Sequence, residues 1–593
     1  FSMIAGLLMP AHAMAQTFAP AQKTAIETVL KQFTPGFSTG RVKVDSAQVD
    51  GNRLVIYAST GFSYISFNQA KCDAIISRVK AALPDLYKNN EVRIITGGVD
   101  IHDLIPRYLR PKADKPVVFT QDKAVPLVRN LSRPAVPTDG LYGRHIAMWQ
   151  SHGLYFEPGR QRWQWQRGRM FQTVEDKYTQ QYVLPYLIPM LEKAGAYVLT
   201  PRERDTNPYE VVVDNDGKLA SSPYQETNGD KLWTTGNGPG FAYARQEYKN
   251  FENPFRDGTY RMAETTSNKS RAGEIKWTPR ITVGRPYAVY VAYQSLPNNT
   301  TQALYTVNHK GGSTHFSVNQ QMGGGTWIYL GTFEFDEGTQ GNVTLSNYSK
   351  EKGTVVTADA VRFGGGMGLA ARSMPQITVS PDSIYTYAYP KVGHTSGLPR
   401  RLEGARYYAQ WAGLPDSLYR HRDETSDYNG DLRSRAHLLN FLGGGSPFMP
   451  DTLGARVPFE LSFALHTDAG FNRNGNIYGT LGLITGVNEQ GDSLYRTGTA
   501  RRTSLDYARR VMTNLHNDLT RTYGTNWNLR ELFDKNYAET RMPEVPSMIL
   551  ELLAHQNFTD MKFAHDPNFK FTASRAVYKA ILQYLSAMHG EPQ

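Results

Sequence analysis

The chain has 593 residues, too many for one hydrophobic core, so several domains are expected. Its composition is that of a globular protein, 40% hydrophobic and 20% charged, and 52 Gly with 35 Tyr point to much β-structure and many turns. A formal charge of +11 suits an anionic partner such as lipid headgroups or an acidic cell-wall polymer, but no dense Lys/Arg run points to nucleic acid. Cys72 is the only cysteine, which excludes an intrachain disulfide, and it falls in an amphipathic helical pattern that reads as core.

Residues 1–15 form a short apolar run ending in Ala13-Met14-Ala15, a small-x-small cleavage pattern. The expectation is a signal peptide whose basic start is missing, and hence an exported protein of the periplasm or cell envelope. The other reading is a buried N-terminal helix. The run is too short to span a bilayer, and no later stretch is long and apolar enough to do so. Residues 16–125 read as a small α+β domain. Arg53–Tyr57 and Val92–Ile95 are strands, and Gln69–Leu83 is a helix with Ile75, Ile76, Val79 and Leu83 on one face. A linker with Pro126, Pro134 and Pro137 follows.

A strand then runs to His152, followed by an aromatic and basic loop with Tyr155, Trp163, Trp165, Arg167 and Arg169. Glu175 opens a helix in which Leu184, Leu187, Ile188 and Leu191 share one face, with Pro185 and Pro189 predicting a kink or break. Tyr197–Leu199 is the next strand. The order β-loop-α-β belongs to a mostly parallel sheet. From about 216 to 384 short alternating runs separated by Gly, Asn and Ser, such as Tyr287–Tyr293 and Thr326–Leu330, predict an antiparallel β-sandwich. Alternation of helix and strand returns after 385. Helices are expected over 400–412, 432–441, 504–519 and 574–585, with strands ending at His466 and Glu551. The fold class is therefore multidomain: a small α+β domain, then an α/β domain split into 140–215 and 385–590 by an all-β sandwich.

In open α/β sheets ligands bind beyond the carboxyl ends of the strands. His152, His466 and Glu551 sit at such ends, and Glu175 begins a helix facing the same crevice. Two imidazoles and a carboxylate can hold zinc, and a second carboxylate can carry protons. Taken singly, each His reads as a polar surface residue and Glu175 as a helix start favoured by the dipole. Glu551, after Met548-Ile-Leu, is costly among apolar neighbours without a partner.

Ser151-His152-Gly153, then Glu175, then Phe463-Ala-Leu-His466, then Pro546-Ser-Met-Ile-Leu-Glu551 with Asn557 and Asp560, resembles the zinc-dependent N-acetylmuramoyl-L-alanine amidases. That family opens on a strand and His-Gly-Gly with a Glu on the next helix, and closes on Pro-x-x-Leu-x-Glu with a following Asn and Asp. The resemblance implies Zn2+ held by His152, Glu175 and His466, Glu551 as general acid/base, and peptidoglycan as substrate. Leu154 and Tyr155 replace the family's second Gly and following Asp, and Leu552-Leu553 replaces the Gly-Phe after its Glu; these departures bear on the substrate. Tyr155, Arg167 and Arg169 are candidate substrate-binding residues, the arginines pairing muropeptide carboxylates. The same loop also reads as solvated, with its Trp residues packed on the sheet.

Thr326–Phe335 and Val355–Phe363 resemble golvesin C-terminal-like β-sandwich domains, sometimes labelled xanthan lyase. This implies a module that holds envelope polysaccharide. Two other functions stay open: an inactive amidase-like polysaccharide-binding protein, and a polysaccharide lyase.

Overall fold

A computed structural model describes residues 15–591 apart from 17, 35–41, 66, 97–98, 106–124, 218–221, 244–245, 374–375, 380, 382–384, 389–392, 421–425 and 451. All but the last residue of the expected signal peptide lies outside the described residues. Near the N-terminus, strands Val44–Asp50, Arg53–Ala58 and Glu91–Thr96 form the middle of a five-stranded sheet. Helices Pro20–Gln32 and Gln69–Ala82 bury Ile26, Leu30, Cys72, Ile75 and Val79 against it.

The central α/β sheet has six strands: β1 (His145–Gln150), β2 (Tyr197–Leu199), β3 (Phe459–Asp468), β4 (Thr480–Ile484), β5 (Leu529–Asp534) and β6 (Ser547–Ala554). Their order is β2-β1-β3-β6-β4-β5. Pairs β2/β1, β1/β3, β3/β6 and β4/β5 are parallel, and β4 meets β6 antiparallel. β1 is buried at every position, as its unbroken run His-Ile-Ala-Met-Trp-Gln requires of a strand covered on both faces. One face of the sheet packs on helices, among them α1 (Glu175–Tyr182), α4 (Thr503–Tyr523) and α6 (Pro567–Met588). The other face carries Trp149, Ala464 and Ile549 into one apolar cluster with the sandwich core and α3 (Asp427–Gly443).

Pro185 and Pro189 do not break the helix after Glu175. α1 passes through a π-helical turn, Val183–Leu187, into α2 (Ile188–Lys193). The wider turn accommodates rings that lack an N–H donor. Helix at 400–412 is confined to a 3-10 turn, Arg400–Leu402, and Ala405–Trp411.

The sandwich pairs a four-stranded sheet (Val211–Val213, Val361–Phe363, Arg285–Val291, Ile328–Phe335) with a six-stranded one. Trp277, Tyr287, Val289, Tyr305 and Phe363 fill its core. The Pro-rich linker is not free chain throughout: Val128–Asn130 adds an edge strand to the six-stranded sheet by pairing with Phe316–Val318. Among the described residues no helix is long and apolar enough to cross a membrane.

Candidate metal centre

β1 stops at Gln150 and the chain turns sharply. Ser151 has φ 49° and Gly153 φ 96°, both in the left-handed region. A Cβ on Gly153 would lie 2.7 Å from the backbone of Glu403 and Gly404, so glycine is required there. The turn is held by Ser151 N–H donating to Leu465 O (2.9 Å) and Gly153 N–H donating to Asp176 Oδ1 (2.5 Å). It leaves the buried His152 ring 4.8 Å from that of His466, centroid to centroid.

Glu175, the first residue of α1, reaches the same point from the helix side. Its Oε1 accepts from Ser151 Oγ (2.8 Å) and Thr467 N (3.2 Å) and lies 3.0 Å from His466 Nδ1. Its Oε2 is buried without a hydrogen-bond partner, 3.4 Å from Arg167 Nη1. His466 and Glu551 are register partners on adjacent parallel strands, so their side chains stand side by side. Glu551 Oε2 is also buried and unpartnered. One donor atom each from His152, Glu175 and His466 lies within 4.8 Å of the others. Those donors and the spare Glu175 oxygen suit a borderline-soft divalent cation such as zinc, which takes imidazole nitrogen and carboxylate oxygen.

Burial alone would raise the Glu175 carboxyl, but the hydrogen bond from His466 and the charges of His152, His466 and Arg167 hold it well below the usual carboxylate range. Burial alone would lower His466, but Glu539 and Glu175 on either side hold it at about 10. Burial and then the Arg435 charge push His152 well below its ordinary value. Burial pushes Glu551 up to about 8, with Glu175 and Asp468 adding to the rise and His466 and Arg167 opposing it. Two glutamates in one crevice thus differ in proton affinity, the condition for separating ligand from proton carrier.

Four residues read from the sequence therefore converge: His152, Glu175, His466 and Glu551. Arg167 joins them at the mouth, half-buried and anchored by Nη1 on Thr467 O (2.7 Å). Tyr155 and Arg169 lie elsewhere. Tyr155 is buried against Tyr428, and its hydroxyl accepts from Gln164 (2.7 Å). Arg169 donates to Gln172 O in its own loop. A surface cleft lined by Arg160, Trp163, Trp165, Arg167, Arg169 and Lys177 has no carboxylate in its wall.

Sequence reasoning missed a buried layer behind the histidines. Arg435 on α3 pairs with Asp431 (2.5 Å) and Glu539 (2.6 Å), and its Nη2 lies 3.2 Å from His152 Nδ1. Glu539 in turn meets His466 Nε2 at 3.0 Å. The one signal was the i,i+4 spacing of Asp431 and Arg435, which on sequence alone describes a solvated helix face. His555 reads from sequence as a surface residue or one that lines the cleft, the surface being the plainer reading. It is buried, with Nε2 unpartnered and Nδ1 3.5 Å from Thr467 Oγ1. Asn557 and Asp560, from the closing motif, are structural: Asp560 accepts from the amides of Tyr478, Gly479 and Ala554 and from Asn557 Nδ2.

Residues 252–365 match the Golvesin C-terminal domain family. The chain is also 33% identical over 122 residues to a xanthan lyase of Bacillus sp. (strain GL1), a stretch that covers 18% of this chain and 13% of the lyase. It thus spans about an eighth of that relative's length. A solved Paenibacillus xanthan lyase overlaps with TM-score 0.21 and 25% identity, over 26% of this chain and 13% of the lyase. A solved N-acetylmuramyl-L-alanine amidase of Mycobacterium smegmatis overlaps with TM-score 0.19 and 15% identity, over 29% of this chain and 78% of the amidase. Overlaps of this quality say nothing of activity.

Proposed function

We propose that this chain is a zinc-dependent amide hydrolase of the cell envelope, which cleaves the N-acetylmuramoyl-L-alanine bond of peptidoglycan. The observation that carries this reading is the meeting of His152, Glu175 and His466, one donor each within 4.8 Å, with Glu551 in register beside His466. His152, Glu175 and His466 would hold the ion, which when bound supplies Lewis acidity and lowers the pKa of a coordinated water. Glu551 takes a proton from water and returns it to the leaving amine of L-Ala. With its carboxyl raised to about 8, it can give up a proton and regain it near neutral pH. Ser151 and the Thr467 amide fix one Glu175 oxygen and leave the other for the ion. Arg167 and Arg169, in a cleft wall without carboxylates, would pair with the acidic stem peptide, and Tyr155 would support that wall through Gln164. The protein would act after export, with the sandwich holding envelope polysaccharide near the crevice.

The test is digestion of purified sacculi with zinc present. Release of stem peptides with a new N-terminal L-Ala is expected, and its loss in Glu551→Gln with zinc still bound. Intact sacculi after treatment with zinc-loaded protein would reject the reading. The stretch shared with xanthan lyase favours a second reading, a polysaccharide lyase. A lyase leaves unsaturated sugars that absorb in the ultraviolet, so products without that absorbance rule it out.

A further inference from the structure

Glu539 sits on a four-residue helix, α5 (Ala538–Arg541), between β5 and β6, with its side chain buried behind the histidines. Three different groups face its carboxylate. Trp149 Nε1 donates to Oε1 at 2.5 Å, Arg435 Nη1 donates to Oε1 at 2.6 Å, and His466 Nε2 lies 3.0 Å from Oε2. Trp149 comes from β1, Arg435 from α3 and His466 from β3, so three elements fix the carboxylate from three directions. Asp431 holds the far side of Arg435, and it is held in turn by the Arg406 amide (3.1 Å). The carboxylate therefore has little freedom to move.

We infer that Glu539 is a positioning residue for the metal centre, accepting the Nε2 proton of His466 and so presenting Nδ1 to the ion. This rests on the metal reading above. An ionised carboxylate only accepts, so the imidazole nitrogen facing it carries the hydrogen. With an ion bound the imidazole is neutral, and its lone pair is then on Nδ1, the nitrogen that lies 3.0 Å from Glu175 Oε1. Ligands sharing one ion stand that close to each other. A metal-bound histidine commonly donates its other N–H to a carboxylate, which fixes the tautomer and strengthens the ligand. Arg435 touches His152 Nδ1 as well, but a guanidinium only donates, so the proton-accepting role of Glu539 is confined to His466.

Zinc affinity is measured by chelator competition on the full chain for the wild type, Glu539→Ala, Glu539→Gln, Glu539→Asp and His466→Ala, alongside kcat and KM on peptidoglycan. The expected result is an affinity loss of about 10–100-fold in Glu539→Ala, and about tenfold in Glu539→Gln. Glu539→Asp recovers part of the loss, and at saturating zinc kcat falls while KM holds. If Glu539→Ala does not fold, Glu539→Gln carries the test, because it keeps the shape and removes the charge. Folded Glu539 variants with wild-type zinc affinity and wild-type kcat overturn the inference alone, even if their melting temperature drops. Wild-type protein that takes up no zinc overturns the metal reading and this inference together.

Discussion

The crevice and the seam where the sandwich meets the α/β sheet both bury charge, but they finish it differently. At the seam, Glu203 and Arg362 are fully buried and meet at 2.6 Å. The other Glu203 oxygen accepts from the Tyr290 hydroxyl and the Asp205 amide, so the carboxylate is satisfied on both sides. The Arg362 guanidinium lies 3.8 Å above the Tyr290 ring, and its Nε and Nη2 are buried there without a hydrogen-bond partner. At the carboxyl ends of β1, β3 and β6, by contrast, Glu175, Glu551 and His555 each keep one buried polar atom without a partner. Buried polar groups are nearly always paired, and leaving one unpaired costs about 1–3 kcal/mol. The contrast is one of acceptors: the seam carboxylate is satisfied and holds elements together, whereas a cluster of spare lone pairs facing one point is suited to receive a cation.

The sharpest way to break this contrast is at the crevice itself. His466→Ala should abolish stoichiometric zinc and all measurable amide cleavage, because it removes a donor and the link between Glu175 and Glu539. Glu551→Gln should keep the metal and lose about 10²–10⁴-fold in kcat, the usual worth of a general acid/base. Metal analysis and turnover on the same preparations separate the two. If Glu551→Gln loses zinc as well, the division into ligands and proton carrier is wrong.

At the seam the expected loss is in stability. Arg362→Met leaves Glu203 buried without its cation, which should cost about 3–5 kcal/mol. Zinc content should not change, because Arg362 forms its ion pairs with Glu203 and Glu210, neither of which belongs to the crevice set. Denaturant unfolding and metal analysis check the pair of outcomes. A seam variant that folds but releases its zinc would show that sandwich and crevice are one cooperative unit.

The two layers were also unequally legible in the sequence. Apolar runs place His152 just past the end of β1 and Glu175 at a helix start, but the strands expected to end at His466 and Glu551 run on to Asp468 and Ala554, because Leu552, Leu553 and Ala554 continue the buried run. Glu539 and Arg435 have no such signal. Glu539 lies in a polar stretch, Asn536-Tyr-Ala-Glu-Thr-Arg541, without periodicity. Arg435 lies on a helix whose charges suggest a wet face, although its side chain is fully buried. Burial of these groups depends on which elements pack over them, and that is set by contacts far apart in the chain. The same holds for Val128–Asn130, where no local alternation marks a strand and pairing with Phe316–Val318 makes one. Pro185 and Pro189 mark a kink or break in the sequence, and the packed helix answers with a π turn instead of ending.

Asp214, at the end of the first strand of the four-stranded sandwich sheet, is the exception to the contrast and gives its mildest test. It is buried, and neither carboxylate oxygen has a well-aligned hydrogen bond, the amides of Asn215 and Asp216 being the donors nearest to it. Burial, with Asp216 nearby, raises its carboxyl from 3.8 to about 8, and the adjoining backbone amides only partly oppose this. The folded state therefore binds a proton that the unfolded chain gives up above pH 3.8. Stability from this group is whole below about pH 4, falls as pH rises toward 8, and levels off above. Asp214→Asn removes the ionisation but leaves a buried polar amide, so part of the cost persists. The variant should match the wild type near pH 4 and gain on the order of 1–2 kcal/mol by pH 8, read as the difference between denaturant midpoints across that range. A gain that is flat with pH would mean that Asp214 is ionised in the folded protein and finds a partner there. The sandwich would then satisfy this carboxylate as the seam satisfies that of Glu203.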